Sequence, residues 1–364
     1  MTESIVPYSL DSLFAATGVG SLDKAITNSF YGINHMAIPG ISLTNRDHQG
    51  YVFMTRPQLN LQTPNIRNVR ELYPLLNGDP RSTAKAIRCL LDPRIMAGYS
   101  VRTRNSISHV PAESCILVDN NQAFIPLITN NTVSLSGFPD GAMNTWSADV
   151  GIHKEVYNLP DGIYRNYGEY DLNLNVLNMA SDPISLLMHT WLMYLECVRL
   201  GEMSPYPDYL FNNRRDYDTR IYRIVLDHRM ERVTKIMACG VGYPTSNPIG
   251  MFGDFNRETP FSTQTKEIPV RIHCTGMIAY DPKLIDDFNT VVEIFNPAME
   301  DGYRDNYMTL LSKMERRIYN FRCYPRIDPD TMEMQWWTPN DTYEALKDSK
   351  KFIEPIQLQG ELSA

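Results

Sequence analysis

The sequence predicts a mixed α+β fold built around a central buried helix. The stretch SDPISLLMHTWLMYLECVRLG, residues 181–201, is apolar around most of its circumference, which is typical of a helix enclosed by other elements. Downstream, alternating apolar residues in TRIYRIVL and VTKIMACG indicate two strands joined by a turn, which predicts an antiparallel hairpin. Amphipathic helical patterns near the C-terminus and long irregular loops complete the predicted fold.

The end residues of the central helix define its limits. Ser181 or Asp182 can cap the helix start, and Pro183 suits the first helical position because its missing N–H would be unpaired there. Gly201 can end the helix, since glycine adopts the left-handed conformation without a Cβ clash. A membrane span is the alternative, but charged side chains interrupt a segment that falls short of about 20 apolar residues. We therefore expect a buried helix.

Composition and turn signals divide the chain into four regions. The first is mostly helical or irregular, the second is a turn-rich β region, the third is the α+β core, and the last is an extended C-terminal arm. Their bounds are residues 1–92, 93–180, 181–320 and 321–364.

In the first two regions, periodicity predicts short elements. A β-type run at Tyr51–Thr55 is followed by helical patterns at Ile66–Leu76 and Pro80–Leu91. Short strands are then expected between Pro- and Gly-rich turns, at Ser114–Val118, Ala123–Thr129 and Thr132–Leu135. Two Pro-Asp-Gly turns, at residues 139–141 and 160–162, are strong turn signals.

In the third region, the hairpin strands Thr219–Leu226 and Val233–Gly240 precede a long irregular loop that runs to Thr265. A further strand is expected at Val270–Tyr280. Two amphipathic helices follow, one from Asp281 to Phe295 and the other from about Arg304 to Tyr319.

Composition limits the classes of function. The formal net charge is −8, which argues against general nucleic-acid binding, because such proteins need a basic surface to displace counterions. The six cysteines are far apart and form no CxxC pair, so their spacing predicts neither a zinc site nor a disulfide framework. Reduced thiols fit folding in a cytoplasm. Abundant Tyr, Asn, Pro and Met suit protein contacts, although an ordinary core with a polar surface fits equally well.

No motif for catalysis or cofactor binding is complete. Gly240 and Gly242 follow a predicted strand, yet the next residues neither open a helix nor supply the third glycine of a dinucleotide fingerprint. The histidines form no HxH or HExxH pattern, and no GxSxG nucleophile elbow is present. We therefore expect no catalytic residue, no cofactor and no metal ligand.

Two sequence blocks carry a family resemblance. One is GYVFMTRPQLNL at residues 50–61, and the other runs from Val233 to Phe255. Together they resemble virion structural proteins of large contractile-tailed bacteriophages, which are proteins of the tail, baseplate or neck. The resemblance implies an assembly component that is made in the host bacterial cytoplasm and then locked into the virion. It brings no catalytic residues.

The residues and the resemblance together predict a structural component of a phage virion, in the tail or baseplate, that acts through protein–protein contacts. The expected partners are other virion proteins, with a homo-oligomer or repeated copies in a symmetric particle, no general nucleic-acid binding and no membrane span. A neck or head–tail connector protein is the nearest alternative. The alternative from another class is a hydrolase with an unrecognised site near His228 or His273.

Aromatic residues in the irregular segments are the predicted partner contacts, because interfaces gain most of their energy from a few such anchors. The alternative is that these segments fold back onto their own subunit. The candidate contact residues are Tyr243, Phe252, Phe255, Phe261, Trp336 and Trp337.

Overall fold

A six-stranded antiparallel sheet organises the subunit. The computed structural model describes residues 45–103, 106–110, 113, 115–316 and 323–347. The strands are β1 (His48–Met54), β2 (Tyr99–Thr103), β3 (Ser106–Val110), β4 (Thr132–Ser136), β5 (Thr145–Ser147), β6 (Asn158–Pro160), β7 (Glu169–Leu177), β8 (Ile221–Leu226), β9 (Val233–Pro244), β10 (Glu267–Ala279), β11 (Met308–Leu310), β12 (Tyr324–Ile327) and β13 (Met334–Pro339). The α-helices are α1 (Thr63–Ile66), α2 (Thr83–Leu91), α3 (Pro93–Ala97), α4 (Pro126–Thr129), α5 (Pro183–Leu200), α6 (Pro207–Phe211), α7 (Gly250–Gly253), α8 (Phe261–Gln264), α9 (Lys283–Phe295), α10 (Arg304–Tyr307), α11 (Lys313–Arg316) and α12 (Asn340–Lys347).

The large sheet has the strand order β1-β8-β9-β10-β7-β4, and every neighbouring pair is antiparallel. Helices α2 and α5 pack in the core on one face of this sheet. Helix α9 and the three-stranded sheet β11-β13-β12 pack on the other face, over β1, β8 and β9. The predicted α+β class and the antiparallel hairpin, formed by β8 and β9, are therefore confirmed.

Helix α5 is the main element of the first core. Pro183 occupies its first position, and Gly201 after its end has a left-handed φ of +77°. Trp191 and Leu187 are fully buried in the same cluster as the inward side chains of β7 and β10. The predicted central helix and its limits are confirmed, but the predicted cap is not, because Asp182 makes no side-chain cap hydrogen bond and its carboxylate accepts the Ser185 hydroxyl instead. Of the helices that the structure describes, none is long and apolar enough to cross a bilayer.

An aromatic cluster fills the second core. The ring centroid of Phe288 in α9 lies 5.2 Å from that of Phe53, 5.0 Å from that of Phe124 and 5.3 Å from that of Tyr222. Ring pairs at these distances contribute stability beyond the area that they bury. The inward stripe of α9 confirms the first of the two predicted C-terminal amphipathic helices.

The block GYVFMTRPQLNL joins the sheet to the helices of the first core. Its first half forms β1, and its second half passes close to α5. The Asn60 N–H donates to the Tyr194 hydroxyl of α5 at 3.2 Å. That hydroxyl in turn donates to the carboxylate of Asp216. The Leu61 N–H donates to the Asp92 carboxylate at 2.8 Å, so consecutive backbone groups are held by buried side chains.

Three of the predicted elements in the first half of the chain are corrected. The expected helix Ile66–Leu76 is split into α1 and a 3₁₀ helix at Tyr73–Leu76, since Pro74 cannot continue an α-helical ladder. Residues 115–118 of the expected strand Ser114–Val118 form a turn. The expected strand Ala123–Thr129 is one bridge followed by α4, which starts at a proline. The strand Thr132–Leu135 is confirmed as most of β4.

The long loop expected after residue 240 is shorter than predicted, because β9 continues to Pro244. A Cβ on Gly240 would lie 2.6 Å from the backbone oxygen of Thr275, so the glycine permits close approach of β9 and β10. The short helices α7 and α8 lie within the remainder of the segment, residues 245–266.

The second predicted C-terminal helix, Arg304–Tyr319, is wrong as a single helix. Helix α10 ends at Tyr307, and the next residues form β11 because they pair with β13. Helix α11 covers Lys313–Arg316, and residues 317–319 lie outside the described part of the chain.

The C-terminal region from residue 323 packs on the subunit's own body as far as the structure describes it. Strands β12 and β13 pair with each other, and β13 also pairs with β11. Residues 324–347 therefore belong to the three-stranded sheet and α12 rather than to an extended arm, while residues 348–364 lie outside the described range. The four-region division itself remains a prediction.

Asp92 provides a test of this packing through pH. Its carboxylate is fully buried and accepts the Leu61 N–H and the Tyr206 hydroxyl, the latter at 2.8 Å. Burial raises the pKa of Asp92 to about 6, although the hydrogen bond from Tyr206 opposes that rise. Since the folded pKa exceeds the unfolded one, protonation favours the folded state. The contribution is complete below the unfolded pKa and is lost as pH rises through about 6.

We therefore expect acidification from about pH 7 to about pH 5 to stabilise the wild type, relative to Asp92→Asn, by about 1 kcal/mol. Urea unfolding of both proteins at the two pH values measures this difference, and the other titrating groups cancel in the comparison. An equal pH response of the two proteins would show that Asp92 does not titrate in this range.

Candidate assembly interface

A projecting hairpin connects β4 to β7, and we refer to its residues 137–168 as the arm. The chain enters it at Gly137, whose φ of +110° and position against Asp171 O leave no room for a side chain. Strands β5 and β6 pair within the arm, with Trp146 opposite Leu159. Where the arm returns to β7, the Asn166 carbonyl accepts the Met277 N–H at 2.9 Å. The arm base is thus fixed to β10.

The arm carries many exposed apolar side chains. No side chain between residues 137 and 168 is buried. Ile152 at its tip is 98% exposed, and Trp146 is 50% exposed. The large exposed side chains are those of Met143, Trp146, Val150, Ile152, Val156, Tyr157, Leu159, Ile163, Tyr164 and Tyr167. Contiguous exposed apolar surface of this kind marks a protein contact site.

Sequence reasoning missed the arm as a contact surface. The two Pro-Asp-Gly turns were expected to separate short strands of a β region, and they do flank β5 and β6. A two-stranded hairpin alone is marginally stable in water, so its exposed apolar side chains need another surface. The available signal was the density of large apolar residues between two strong turns without a regular alternation.

The predicted contact residues near the end of β9 are mostly exposed. Phe252 and Phe261 stack on each other at 5.9 Å and remain 48% and 46% exposed. Phe255 is 91% exposed. Tyr243 is half-buried in β9, with its ring 5.9 Å from that of Tyr217. The structure brings the three phenylalanines into one segment and leaves Tyr243 on the sheet.

The two predicted tryptophan contacts lie in β13. Trp336 is half-buried, with its ring 5.4 Å from that of Tyr51. Trp337 is only 9% exposed and belongs to the second core. The guanidinium carbon of Arg304 lies 5.1 Å from the centroid of its ring. Both tryptophans therefore lie in a paired strand rather than in an extended, unpaired segment.

The two histidines of the hydrolase alternative lie apart. His228 is in the turn between β8 and β9, where the Asp227 carboxylate accepts backbone N–H groups. His273 lies on the outer face of β10, with its Nδ1 2.9 Å from Asp171 Oδ1. Cys274 beside it points to the buried face, because side chains alternate along a strand. Within the described ranges, no group of three or more His, Cys, Asp or Glu could hold a metal ion.

A subunit with packed cores and an exposed apolar arm belongs to the class of structural proteins whose exposed surfaces are covered by other subunits in an assembly. Comparison with known proteins agrees with this class. The family model described as "Putative phage tail tube protein" matches residues 6–353, which is nearly the whole chain. The chain therefore belongs to this family of phage tail proteins. It is a structural component of a bacteriophage tail, resides in the virion and assembles there with other virion proteins.

Two solved structures show weaker likeness. The tube-terminating cap of the anti-feeding prophage has a TM-score of 0.26 and 12% identity, covering 43% of this chain and 81% of that one. The sheath/tube terminator of the PVC extracellular contractile injection system, in its extended state, has a TM-score of 0.24 and 12% identity, covering 44% and 88%. Scores this low do not establish a shared fold. A search of curated proteins gave no match.

Proposed function

We propose that this chain is a repeated, non-catalytic tail subunit that associates with further copies of itself through the arm. The observation that carries the proposal is the arm's composition and exposure, with large apolar side chains from base to tip and none of them buried. Family membership supports a multi-subunit setting. Apolar anchors such as Trp146 and Ile152 lose their water only when a partner covers them, so association offsets the cost of exposing them.

The six aromatic residues predicted from the sequence remain a proposal for a second contact. Ranked by exposed fraction, Phe255 is the strongest contact candidate at 91%, and Trp337 is the weakest at 9%. Phe252 and Phe261 form a stacked pair that presents one face to solvent. A partner that covers this pair would bury aromatic area at a small entropic cost, since each ring is already held by the other.

The place of assembly is also proposed. The five buried cysteines, Cys89, Cys115, Cys197, Cys239 and Cys274, are free thiols, which supports folding in the reducing cytoplasm of the bacterial host before incorporation into the virion. The tail tube is the proposed location, and the neck is the alternative. The net charge of −8 supports contacts with protein rather than a general affinity for nucleic acid.

The test is self-association of the purified chain, measured by light scattering across a concentration series and by electron microscopy. We expect the wild type to form regular oligomers or tubes. The double variant Trp146→Asp with Ile152→Asp should need about tenfold or more higher concentration, because charges replace apolar anchors.

Phe211→Asp is the matched control, since Phe211 is 87% exposed on α6 outside the arm. It should associate as the wild type does. A wild type that stays monomeric at every concentration contradicts the proposal, as does an arm variant that associates like the control.

A further inference from the structure

The two edge strands of the large sheet face each other across an open groove. Strands β1 and β4 stand at opposite ends of the strand order, so each has one strand neighbour among the described residues. Both nevertheless line the same groove of about 670 Å³, through residues 49–53 of β1 and 132–135 of β4. The sheet is therefore curled into a barrel that is open along one side.

The groove begins beyond the last backbone contacts between the end of β1 and the segment that precedes α4. At the end of β1, the Met54 carbonyl accepts the Ile125 N–H at 2.9 Å, and Thr55 bridges Phe124 in antiparallel fashion. The helix α4 then carries the chain away before β4 begins. Because alternate residues of a strand direct their N–H and C=O groups to the same edge, Val52 presents its backbone groups to the groove on the same edge as Met54.

Arg223 is the one charged side chain among the described residues that line the groove. Arg223 of β8 is half-buried and donates to the backbone oxygen of Gln49 and to the side-chain oxygen of the same residue. Burial is the cause of the lowered pKa of this guanidinium, which has no carboxylate partner among the described residues. Hydrophobic surface adjoins it, since Val133 is 53% exposed and Trp336 is half-buried. An occupant should thus be extended, partly apolar and acidic.

We propose that the groove between β1 and β4 receives the arm of a second copy of this chain, which adds a strand to the open edges and pairs an acidic side chain with Arg223. The arm has the required chemistry: no other strand in the described part of the chain pairs with the outer edges of β5 and β6, and Asp149 and Glu155 near the tip are exposed. Strand addition uses main-chain hydrogen bonds for affinity and alternate side chains for specificity. The inference rests on the proposed self-association and names its receiving surface.

The returning half of the arm is held away from the groove of its own copy. Its returning segment is hydrogen-bonded to β10, where the Gly168 carbonyl accepts the Gly276 N–H at 3.0 Å. Strand β7 lies between β10 and β4 in the sheet order, so the returning half of the arm base is held on the side of β7 away from the groove, while its entering half continues from β4. A contact between unlike surfaces of two copies repeats from copy to copy, and it builds a closed ring or an open stack.

The experiment exchanges charge across the proposed contact. Arg223→Glu on the groove, or Asp149→Lys with Glu155→Lys on the arm, should weaken association by about tenfold or more. The arm variant keeps the test valid if the groove variant fails to fold, because both acidic residues are exposed. Combining the three substitutions in one chain should restore association, since every contact again joins opposite charges. Arg214→Glu, an exposed arginine outside the groove, is the control.

Hydrogen exchange supplies the second measurement. The Val52 amide should exchange fast in the monomer and gain protection in the assembly. One outcome would overturn this inference alone. In that case the wild type associates and Trp146→Asp with Ile152→Asp prevents association, while the charge variants associate normally and Val52 stays unprotected. The arm would then dock on a surface other than the groove. Equal protection of Val52 in the monomer and the assembly would also overturn this inference. A wild type that never associates refutes the proposed function itself.

Discussion

Replacing Trp191 with alanine is expected to lower the free energy of unfolding by about 3–5 kcal/mol. Trp191 lies in the middle of α5 and has no solvent exposure. Its indole N–H has no hydrogen-bond partner among the described residues, so the loss arises from removed packing and from the cavity that remains. Denaturant unfolding followed by far-ultraviolet circular dichroism measures the change without relying on tryptophan emission.

Leu200→Ala provides the matched control on the same helix, because Leu200 is 64% exposed at its C-terminal end. It should cost under about 0.5 kcal/mol. Both variants are compared at a concentration where the chain is monomeric, since association would add to apparent stability. Similar losses for the two variants would show that α5 is not the helix that organises the core.

The elements that the sequence predicted best are those defined by local signals. Helix α5 lies between a proline that suits a first turn and a glycine that adopts positive φ, so its limits follow from single-residue conformational preferences. Helix α9 carries an apolar stripe of helical period, and β8 directs its alternate residues Tyr222, Ile224 and Leu226 into the second core. In each case the pattern and the tertiary environment agree.

The segment from Arg304 to Arg316 shows why a pattern can mislead. Tyr307, Leu310 and Met314 follow helical spacing, yet they are 61%, 43% and 81% exposed. The buried side chains are those of Met308, the first residue of the short strand β11 that pairs with β13, and of Leu311, which follows it. Pairing with a strand far along the chain determines this conformation, and no local pattern contains that information.

The candidate interface depended even more on long-range packing. Trp337 and Phe255 have the same sequence signal, an aromatic residue in a polar, Pro-rich segment. One is buried by the three-stranded sheet and the other is almost fully exposed, at 91%. Exposure is set by which distant strand reaches the residue, and the sequence alone could not distinguish the two. The arm was missed for the same reason, because the turn signals that bound it do not show whether the residues between them are covered by the rest of the subunit.

Replacing Arg56 with alanine is expected to cost about 3–5 kcal/mol, because it leaves buried acceptors without a donor. Arg56 lies within the block GYVFMTRPQLNL and is 4% exposed. Its Nε donates to Leu90 O and its Nη2 to Cys89 O, both at 2.9 Å. Its Nη1 donates at 3.0 Å to the carbonyl oxygens of Asn120 and Gln122. Burial lowers the pKa of Arg56 to about 10, so the group stays charged at neutral pH.

The geometry explains why a guanidinium is needed at this position. Cys89 and Leu90 lie in the last turn of α2, where helix carbonyls lack intrahelical donors and a positive charge is favourable. A lysine keeps the charge but has no planar fork, so Arg56→Lys should retain only part of the stability. Arg214→Ala, at an exposed arginine, should change the free energy of unfolding by less than about 0.5 kcal/mol. Full stability in Arg56→Lys would mean that charge alone, and not the fork that joins β1 to α2 and to the 119–122 segment, holds these elements together.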